Sequence, residues 1–285
     1  MRSLIVILTA AVLSAYVAFA AEAEGSFDRT LNVTVPVDLD VQTGSGHIHV
    51  HSGNSSSVVV HATIRAHEGR FGSSAGQRVR AIESNPPIQQ NGNFIRIGHV
   101  KDPDLLRGVS IAYDLTVPAE TKLRSSTGSG SVVVDGIRGP VNAETGSGTV
   151  NISKVADEVR AQTGSGRMEF DSVESNVDAH TGSGSIHGSG IKGRIVAHTG
   201  SGHIELEQTG AGDVEAHTGS GGVTVATPGQ AGFELRAHTG SGSITVDRPM
   251  TIRGTISKHD LQAKVGGGGN AIVNLSTGSG SIRVQ

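Results

Sequence analysis

The sequence predicts an all-β protein built as a parallel β-solenoid, and three observations indicate this class. The tetrapeptide Thr-Gly-Ser-Gly occurs nine times, and self-similarity at a fixed short period is typical of stacked repeats. Apolar and polar residues alternate before and after the motif, as in short strands with one buried face. The chain has 41 glycines, no tryptophan and 3% aromatic residues, which suits a narrow interior of small β-branched side chains.

The motif threonines give the length of a coil. The interval between them is constant from Thr127 to Thr199, lengthens slightly over the next two steps, and roughly doubles over the last one. The nine are Thr43, Thr127, Thr145, Thr163, Thr181, Thr199, Thr218, Thr239 and Thr277. A propeller blade takes about 40 residues, so we prefer a solenoid to a propeller or meander. We expect a right-handed β-helix with coils of about 18–21 residues, and one irregular coil in the last interval, between Thr239 and Thr277.

Each repeat reads as two strands and a corner. Residues 141–145 alternate, Gly146 to Gly148 interrupt the pattern, and residues 149–152 alternate again. Period 2 in both limbs predicts two short strands, each with one face inward. We expect the glycines to turn the chain with positive φ, and the motif Thr and Ser to bond local backbone at the corner.

The N-terminal segment, residues 1–20, is interpreted as a signal peptide, with cleavage there or as late as residue 23. Met1-Arg2 is a positive start, Leu4 to Ala20 is an apolar run, and Ala18-Phe19-Ala20 offers a small-x-small cleavage site. A membrane anchor is the alternative, because the run approaches the lower limit for spanning. No second such run follows, so we expect an exported periplasmic, envelope or extracellular protein with no membrane span after cleavage. Cysteine is absent, which excludes disulfides and thiol nucleophiles.

The mature chain divides into an irregular β region, 24–120, and regular solenoid repeats, 121–285. In the first region we predict a strand over Leu31 to Val41, a short helix within 73–84, and a hairpin over 88–97 with an Asn-Gly turn. The long gap between the first two motifs is expected to cap one end of the stack, since an open end exposes unpaired backbone.

These elements occur in an order that is similar to the bacterial putative-adhesin proteins called toastrack domains. The resemblance depends on the alternating strand into Thr43-Gly-Ser-Gly-His-Ile, the segment Tyr113 to Ala119, the Thr-Gly-Ser-Gly-x-Ile/Val coils, and the ending from Gly266 to Ile282. It covers nearly all of the mature chain. The resemblance implies a β-solenoid, a cell-envelope or secreted location, and a binding or structural role without catalytic residues to carry over.

A ladder of histidines is the most suggestive chemistry. The position before the motif Thr is outward, and on what we take to be four successive coils it holds a histidine: His180, His198, His217 and His238. Imidazoles titrate near neutrality and bind Zn or Cu, so a metal-binding, anion-binding or pH-sensitive surface is one interpretation. Glu144 and Gln162 occupy the same position on earlier coils, which favours a freely chosen exposed residue. No carboxylate is paired with these histidines by spacing.

A second histidine group lies near the first motif. His47, His49 and His51 alternate along one strand and so share a face. Two such histidines and a third ligand make known metal sites, but a polar outer face opposite Ile48 and Val50 is the preferred interpretation. The sequence does not place His61 relative to them. We assign no metal ligands.

Charge and the scatter of acidic residues indicate a protein that binds rather than catalyses. The net charge is −3 with the histidines neutral, and no basic cluster fits nucleic acid. A polysaccharide-active β-helix enzyme is the main alternative, but such sites need clustered acids. An ice-binding Thr ladder is a further alternative. We therefore expect a non-enzymatic surface-binding, adhesin or structural protein, with no cofactor, whose partner is a glycan, an envelope component or a protein, and which could oligomerise through an open solenoid end.

Overall fold

The computed structural model describes residues 22–53, 56–68, 74–100, 102–252, 257–267 and 269–285. The predicted signal peptide lies outside these residues. Among the described segments no helix has both the length and the apolar character needed to cross a membrane.

The described chain folds into 25 strands, one α-helix and one 3-10 helix. The N-terminal elements are β1 (Glu22–Asn32), β2 (Val37–Ser45), β3 (Ile48–Gly53), β4 (Ser57–His67), α1 (Ala75–Ser84), β5 (Ile88–Asn91), β6 (Phe94–Ile97), the 3-10 helix (Pro103–Leu106) and β7 (Val109–Pro118). The coils comprise β8 (Thr121–Ser129), β9 (Val132–Asp135), β10 (Val141–Ser147), β11 (Val150–Val155), β12 (Val159–Ser165), β13 (Met168–Val173), β14 (Val177–Ser183), β15 (Ile186–Ile191), β16 (Ile195–Ser201), β17 (Ile204–Gln208), β18 (Val214–Ser220), β19 (Val223–Ala226), β20 (Phe233–Ser241), β21 (Ile244–Val246), β22 (Met250–Ile252), β23 (Asp260–Val265), β24 (Ala271–Ser279) and β25 (Ile282–Val284).

The strands form two long sheets, which confirms the predicted β-solenoid. We call the 13-stranded sheet the motif sheet, since its coil strands end in Thr-Gly-Ser; its order is β22-β23-β20-β24-β18-β16-β14-β12-β10-β8-β2-β6-β5. The second sheet runs β1-β4-β7-β3-β9-β11-β13-β15-β17-β19-β25-β21. Each coil contributes one strand to each sheet, and equivalent residues pair in parallel register, as Thr145 does with Thr163.

The core is the stack of inward side chains between the sheets. In one coil Val141 is 2% exposed, Ala143 is fully buried and Thr145 is 5% exposed. Burial of each Val or Ile stabilises the fold by about 1.5–3 kcal/mol. Small inward residues keep the sheets close, and the stacked layers join into one continuous apolar core along the coils.

The motif corner differs from the prediction at one of its two glycines. The second glycine has positive φ in every coil, as in Gly166 at 156°. The first glycine does not, but a Cβ on Gly164 would lie 2.6 Å from the carbonyl oxygen of Gly146 in the neighbouring coil. Positive φ is therefore wrong for the first glycine, which is required by the close approach of backbones. In the regular repeats the motif Thr hydroxyl donates to the neighbouring coil, as from Thr199 to the carbonyl of Gly184 in the preceding coil at 2.9 Å.

The N-terminal region contains the predicted helix and hairpin. Helix α1 begins with a capping box between Ser74 and Gln77, and β5 and β6 pair antiparallel around the Asn-Gly turn. The single strand predicted over Leu31 to Val41 is wrong. It divides into β1, which belongs to the second sheet, and β2, which belongs to the motif sheet, and Pro36 in the link has no N–H to donate to a ladder.

The first motif coil stacks directly on the regular repeats. Strand β2 pairs with β8, and β3 pairs with β9, both in parallel. Strand β7 then covers the other edge of β3, and β4 and β1 continue the second sheet antiparallel. The boundary at residue 120 stays a prediction.

The last coil is inserted out of chain order, so the expected irregular coil is absent from the described residues between Thr239 and Thr277. Strand β24 pairs in parallel with β18 on one side and with β20 on the other. The described residues between β21 and β24 form β22 and β23, and β23 pairs antiparallel with β20. Because every coil carries the same Thr-Gly-Ser-Gly corner, the backbone hydrogen bonds of one coil fit any other coil as a neighbour. These bonds therefore do not determine the order in which the coils stack. Strand β25 consequently lies between β19 and β21, and the N–H of the adjoining Gln285 donates to the Val225 carbonyl at 2.9 Å.

Candidate functional site

A shallow groove of about 690 Å³ runs along the outer face of the motif sheet, across six coils. We call it the glycine groove. Its lining residues are Ser126, Thr127, Glu144, Thr145, Gly146, Gln162, Thr163, Gly164, His180, Thr181, Gly182, His198, Thr199, Gly200, His217 and Gly219. The repeat itself thus builds an extended concave surface.

Strand alternation explains why the groove forms. The residue before the motif Thr and the glycine after it point outward, whereas the Thr points inward: Glu144 and Gly146 are exposed and Thr145 is buried. An outward glycine has no side chain, so a row of them leaves a trough. The pre-threonine side chains form one wall, and the exposed motif serines, such as Ser147, follow the glycines.

Three of the four predicted ladder histidines are neighbours, and the fourth is not. His180 pairs with His198, and His198 with His217; their ring centroids are 4.9 and 6.0 Å apart, edge to face. Ser276 of the inserted coil lies between His217 and His238. The expectation of four successive histidines is wrong for His238. It assumed that the coils stack in chain order, whereas β24 lies between β18 and β20.

Two of the three neighbouring histidines have carboxylate partners that the sequence analysis did not assign. His180 Nε2 lies 2.6 Å from Asp178 Oδ1, and His198 Nε2 lies 3.6 Å from Glu215 Oε1. Asp178 could have been found, since it precedes His180 by two residues and shares its face.

His238 is bonded at the far end of the motif sheet. Its Nδ1 lies 2.6 Å from Asp260 Oδ1 on antiparallel β23, and this bond is the first cause that lowers the pKa of the Asp260 carboxyl. The sequence held no signal for that partner, because the antiparallel return of β23 was not predicted.

The environment of His198 predicts a small pH dependence of stability. Its pKa is lowered, first by burial of the ring and then by neighbouring His180. The unfolded chain therefore binds more protons between the two pKa values, so stability falls as pH drops through about 6.5 and levels off below the folded value. Guanidinium unfolding at pH 7.5 and at pH 5 measures the free energy of unfolding, which should fall more between the two pH values for the wild type than for His198→Gln. Equal losses would contradict this interpretation.

The ladder does not form a closed metal site. His180, His198 and His217 lie in one line on successive strands, so the backbones of His180 and His217 are about 9.6 Å apart. As the side chains are placed, the described residues contain no group of three or more His, Asp or Glu that could hold a metal ion. The motif threonines are buried, Thr181 at 7% exposure being among the most accessible, so an ice-binding surface would lack its Thr ladder.

The N-terminal histidines meet a carboxylate from a distant part of the chain. Asp114 on β7 pairs with His49 on one side and with His61 on the other. His47 Nε2 lies 3.5 Å from Asp114 Oδ2, and His49 Nδ1 lies 3.5 Å from Asp114 Oδ1. His51 instead contacts Thr116 Oγ1 at 2.7 Å.

The carboxylates give little support to hydrolytic chemistry. Glu144 is the one acid among the described residues that line the glycine groove, whereas glycoside hydrolysis uses a pair. The pKa of Asp135 is lowered, first by its hydrogen bond from Ser153, and that of Asp260 is lowered as well. A general acid needs a raised pKa.

A comparison with protein families identifies the chain. The family model described as Toastrack DUF4097 matches residues 89–285, which is more than half of the sequence. The chain belongs to the Toastrack family. The Toastrack fold is a β-solenoid, so the predicted resemblance and fold class are confirmed.

Solved structures similar to this Toastrack chain include proteins described as putative adhesins. A putative cell adhesion protein from Clostridium sporogenes is 14% identical, with 92% of this chain and 99% of that chain covered and a TM-score of 0.32. Putative adhesins from Bacteroides fragilis and Parabacteroides distasonis are 14% and 10% identical, with 92% of this chain and 97% of each covered and TM-scores of 0.34 and 0.35. A search of curated proteins finds no match.

Proposed function

We propose that this Toastrack protein is an exported, non-enzymatic surface-binding protein of the adhesin kind, and that the glycine groove binds a linear, uncharged glycan. The observation that carries the proposal is a groove across six coils whose floor is formed by glycine in five of them. At a rung spacing of about 4.8 Å the groove is roughly 24 Å long. A surface of this shape suits an extended polymer that lies along the solenoid axis.

The chemistry of the walls favours a hydroxyl-rich ligand. The pre-threonine positions of the groove hold Ser, Glu, Gln and His side chains, which donate and accept hydrogen bonds. Among the described residues, no lysine or arginine lines the groove, whereas nucleic acid binding depends on such cations. The predicted signal peptide supports export, which would place the groove among envelope and extracellular glycans.

The test fills the groove at one coil and compares a matched site on the other sheet. Glu144→Trp places a bulky ring over the floor, and Glu205→Trp alters an exposed glutamate on the second sheet. On an array of envelope and extracellular polysaccharides, we expect the wild type and Glu205→Trp to bind the same neutral glycans. Glu144→Trp should bind them at least about tenfold more weakly, a loss of about 1.4 kcal/mol.

Two outcomes would contradict the proposal. Equal binding by the two tryptophan variants would remove the groove from the interaction. Release of reducing ends from a bound glycan, lost in Glu144→Gln, would make the protein a polysaccharide-active enzyme instead.

A further inference from the structure

Outside the glycine groove, His47 and His49 of the N-terminal region both contact the carboxylate of Asp114, and we call these three side chains the triangle. We infer that His47, His49 and Asp114 bind one divalent transition-metal ion, with Zn²⁺ as the representative. This replaces our sequence-based assignment of no metal ligands, because the third ligand is distant from both histidines in sequence and only the fold brings it close.

The backbone fixes the triangle. His47 and His49 flank inward Ile48, which is fully buried, so both histidines emerge on the outer face. Asp114 lies directly opposite His49 in the parallel register of β3 and β7. Three residues in a triangle can converge on one point, which the linear ladder of His180, His198 and His217 cannot do.

Two distances, one from each histidine to Asp114, lie in the range found between ligands of one ion. Each imidazole nitrogen lies 3.5 Å from a different oxygen of Asp114, and hydrogen bonds of that length are weak. Zn–N and Zn–O bonds of about 2.0–2.2 Å in a tetrahedral site place two ligand atoms about 3.3 Å apart. The three side chains are 42–48% exposed, so an ion can enter. As placed they do not form a group that could hold an ion, and side-chain rotation on binding has to bring the three together.

The donor set selects the class of ion. Neutral imidazoles with one carboxylate suit Zn²⁺ and related first-row ions better than Ca²⁺ or Mg²⁺, which prefer oxygen. Three protein ligands leave a fourth position open to water. On the far side of Asp114, His61 contacts Asp28 at 2.7 Å, so a second carboxylate adds negative charge to this face. A bound ion would link β3 of the first coil to β7.

The experiment uses the untagged chain and two probes. Zn²⁺ affinity is measured by competition with a chromophoric chelator, and Co²⁺ reports geometry by its visible spectrum. We expect one Zn²⁺ per chain and a tetrahedral Co²⁺ spectrum. His49→Ala and Asp114→Asn should each weaken Zn²⁺ binding at least about tenfold. Both residues are on the surface, and circular dichroism checks that the variants fold.

The control separates this site from the groove. The double variant His180→Ala/His198→Ala should keep the wild-type stoichiometry, affinity and spectrum. If that variant loses the ion while His49→Ala keeps it, the ion belongs to the ladder and the inference is overturned. Wild-type affinity no tighter than that of Asp114→Asn would overturn it as well.

Discussion

Gly166→Ala is expected to destabilise the protein by about 4 kcal/mol, because two costs act together. Its φ of 156° is a conformation that side chains rarely adopt, and such strain costs about 1–3 kcal/mol. The added Cβ would also meet the backbone carbonyl of Gly148 in the neighbouring coil. A backbone oxygen in a ladder cannot move aside, so overpacking adds about 1–3 kcal/mol.

Two further glycines separate these costs. Gly164→Ala lacks the positive φ but places its Cβ 2.6 Å from the Gly146 carbonyl oxygen, so we expect a loss of about 1–3 kcal/mol. Gly44 occupies the same motif position in the first coil, where a Cβ would meet nothing within 4 Å. Gly44→Ala should therefore change stability by less than about 0.5 kcal/mol. Guanidinium unfolding of the three variants ranks their losses of stability. Equal losses would mean that the spacing between coils does not depend on the glycines.

The sequence predicts the single coil well, because each of its features is local. Alternation over residues 141–145 and 149–152 specifies two strands, and the burial of Val141, Ala143 and Ile152 follows that alternation. A constant repeat period requires equivalent residues to lie in register, as Val159 and Val177 do. The second glycine of each corner also follows, since only glycine adopts its φ without strain.

The order of the coils does not follow from the sequence, since it depends on competition between equivalent edges. The edge of β18 accepts β24 with the same ladder that would accept β20: His217 pairs with Ser276 in the structure, where chain order would place His238. A motif repeated in every coil carries no information about its neighbour.

The candidate sites also differ in whether they depend on local sequence or on the pairing of distant strands. The glycine groove could be predicted, because the parity that places Glu144 outward also places Gly146 outward beside it. The triangle could not. Asp114 reaches His47 and His49 through the pairing of β7 with β3, and residues far apart in sequence reveal no register on their own.

Leu275→Ala is expected to cost about 2–5 kcal/mol, since Leu275 is fully buried in the inserted coil and leaves a cavity when truncated. Its ladder neighbours are Ala216 on one side and Ala237 on the other, too small to fill the space. Ile272 on the same strand is 38% exposed, and Ile272→Ala serves as the matched control with a change below about 0.5 kcal/mol. Guanidinium unfolding measures both variants.

A disulfide cross-link then tests the coil order itself. The chain has no native cysteine, so only the introduced pair can form a disulfide. Adjacent strands lie about 4.8 Å apart, within the range of a disulfide, whereas strands two rungs apart lie beyond it. His217→Cys with Ser276→Cys should oxidise fully and raise the midpoint of unfolding. His217→Cys with His238→Cys should remain reduced, because the inserted coil separates the two positions. The reverse result would mean that the coils stack in chain order, and a small loss in Leu275→Ala would then follow from a coil displaced from the interior.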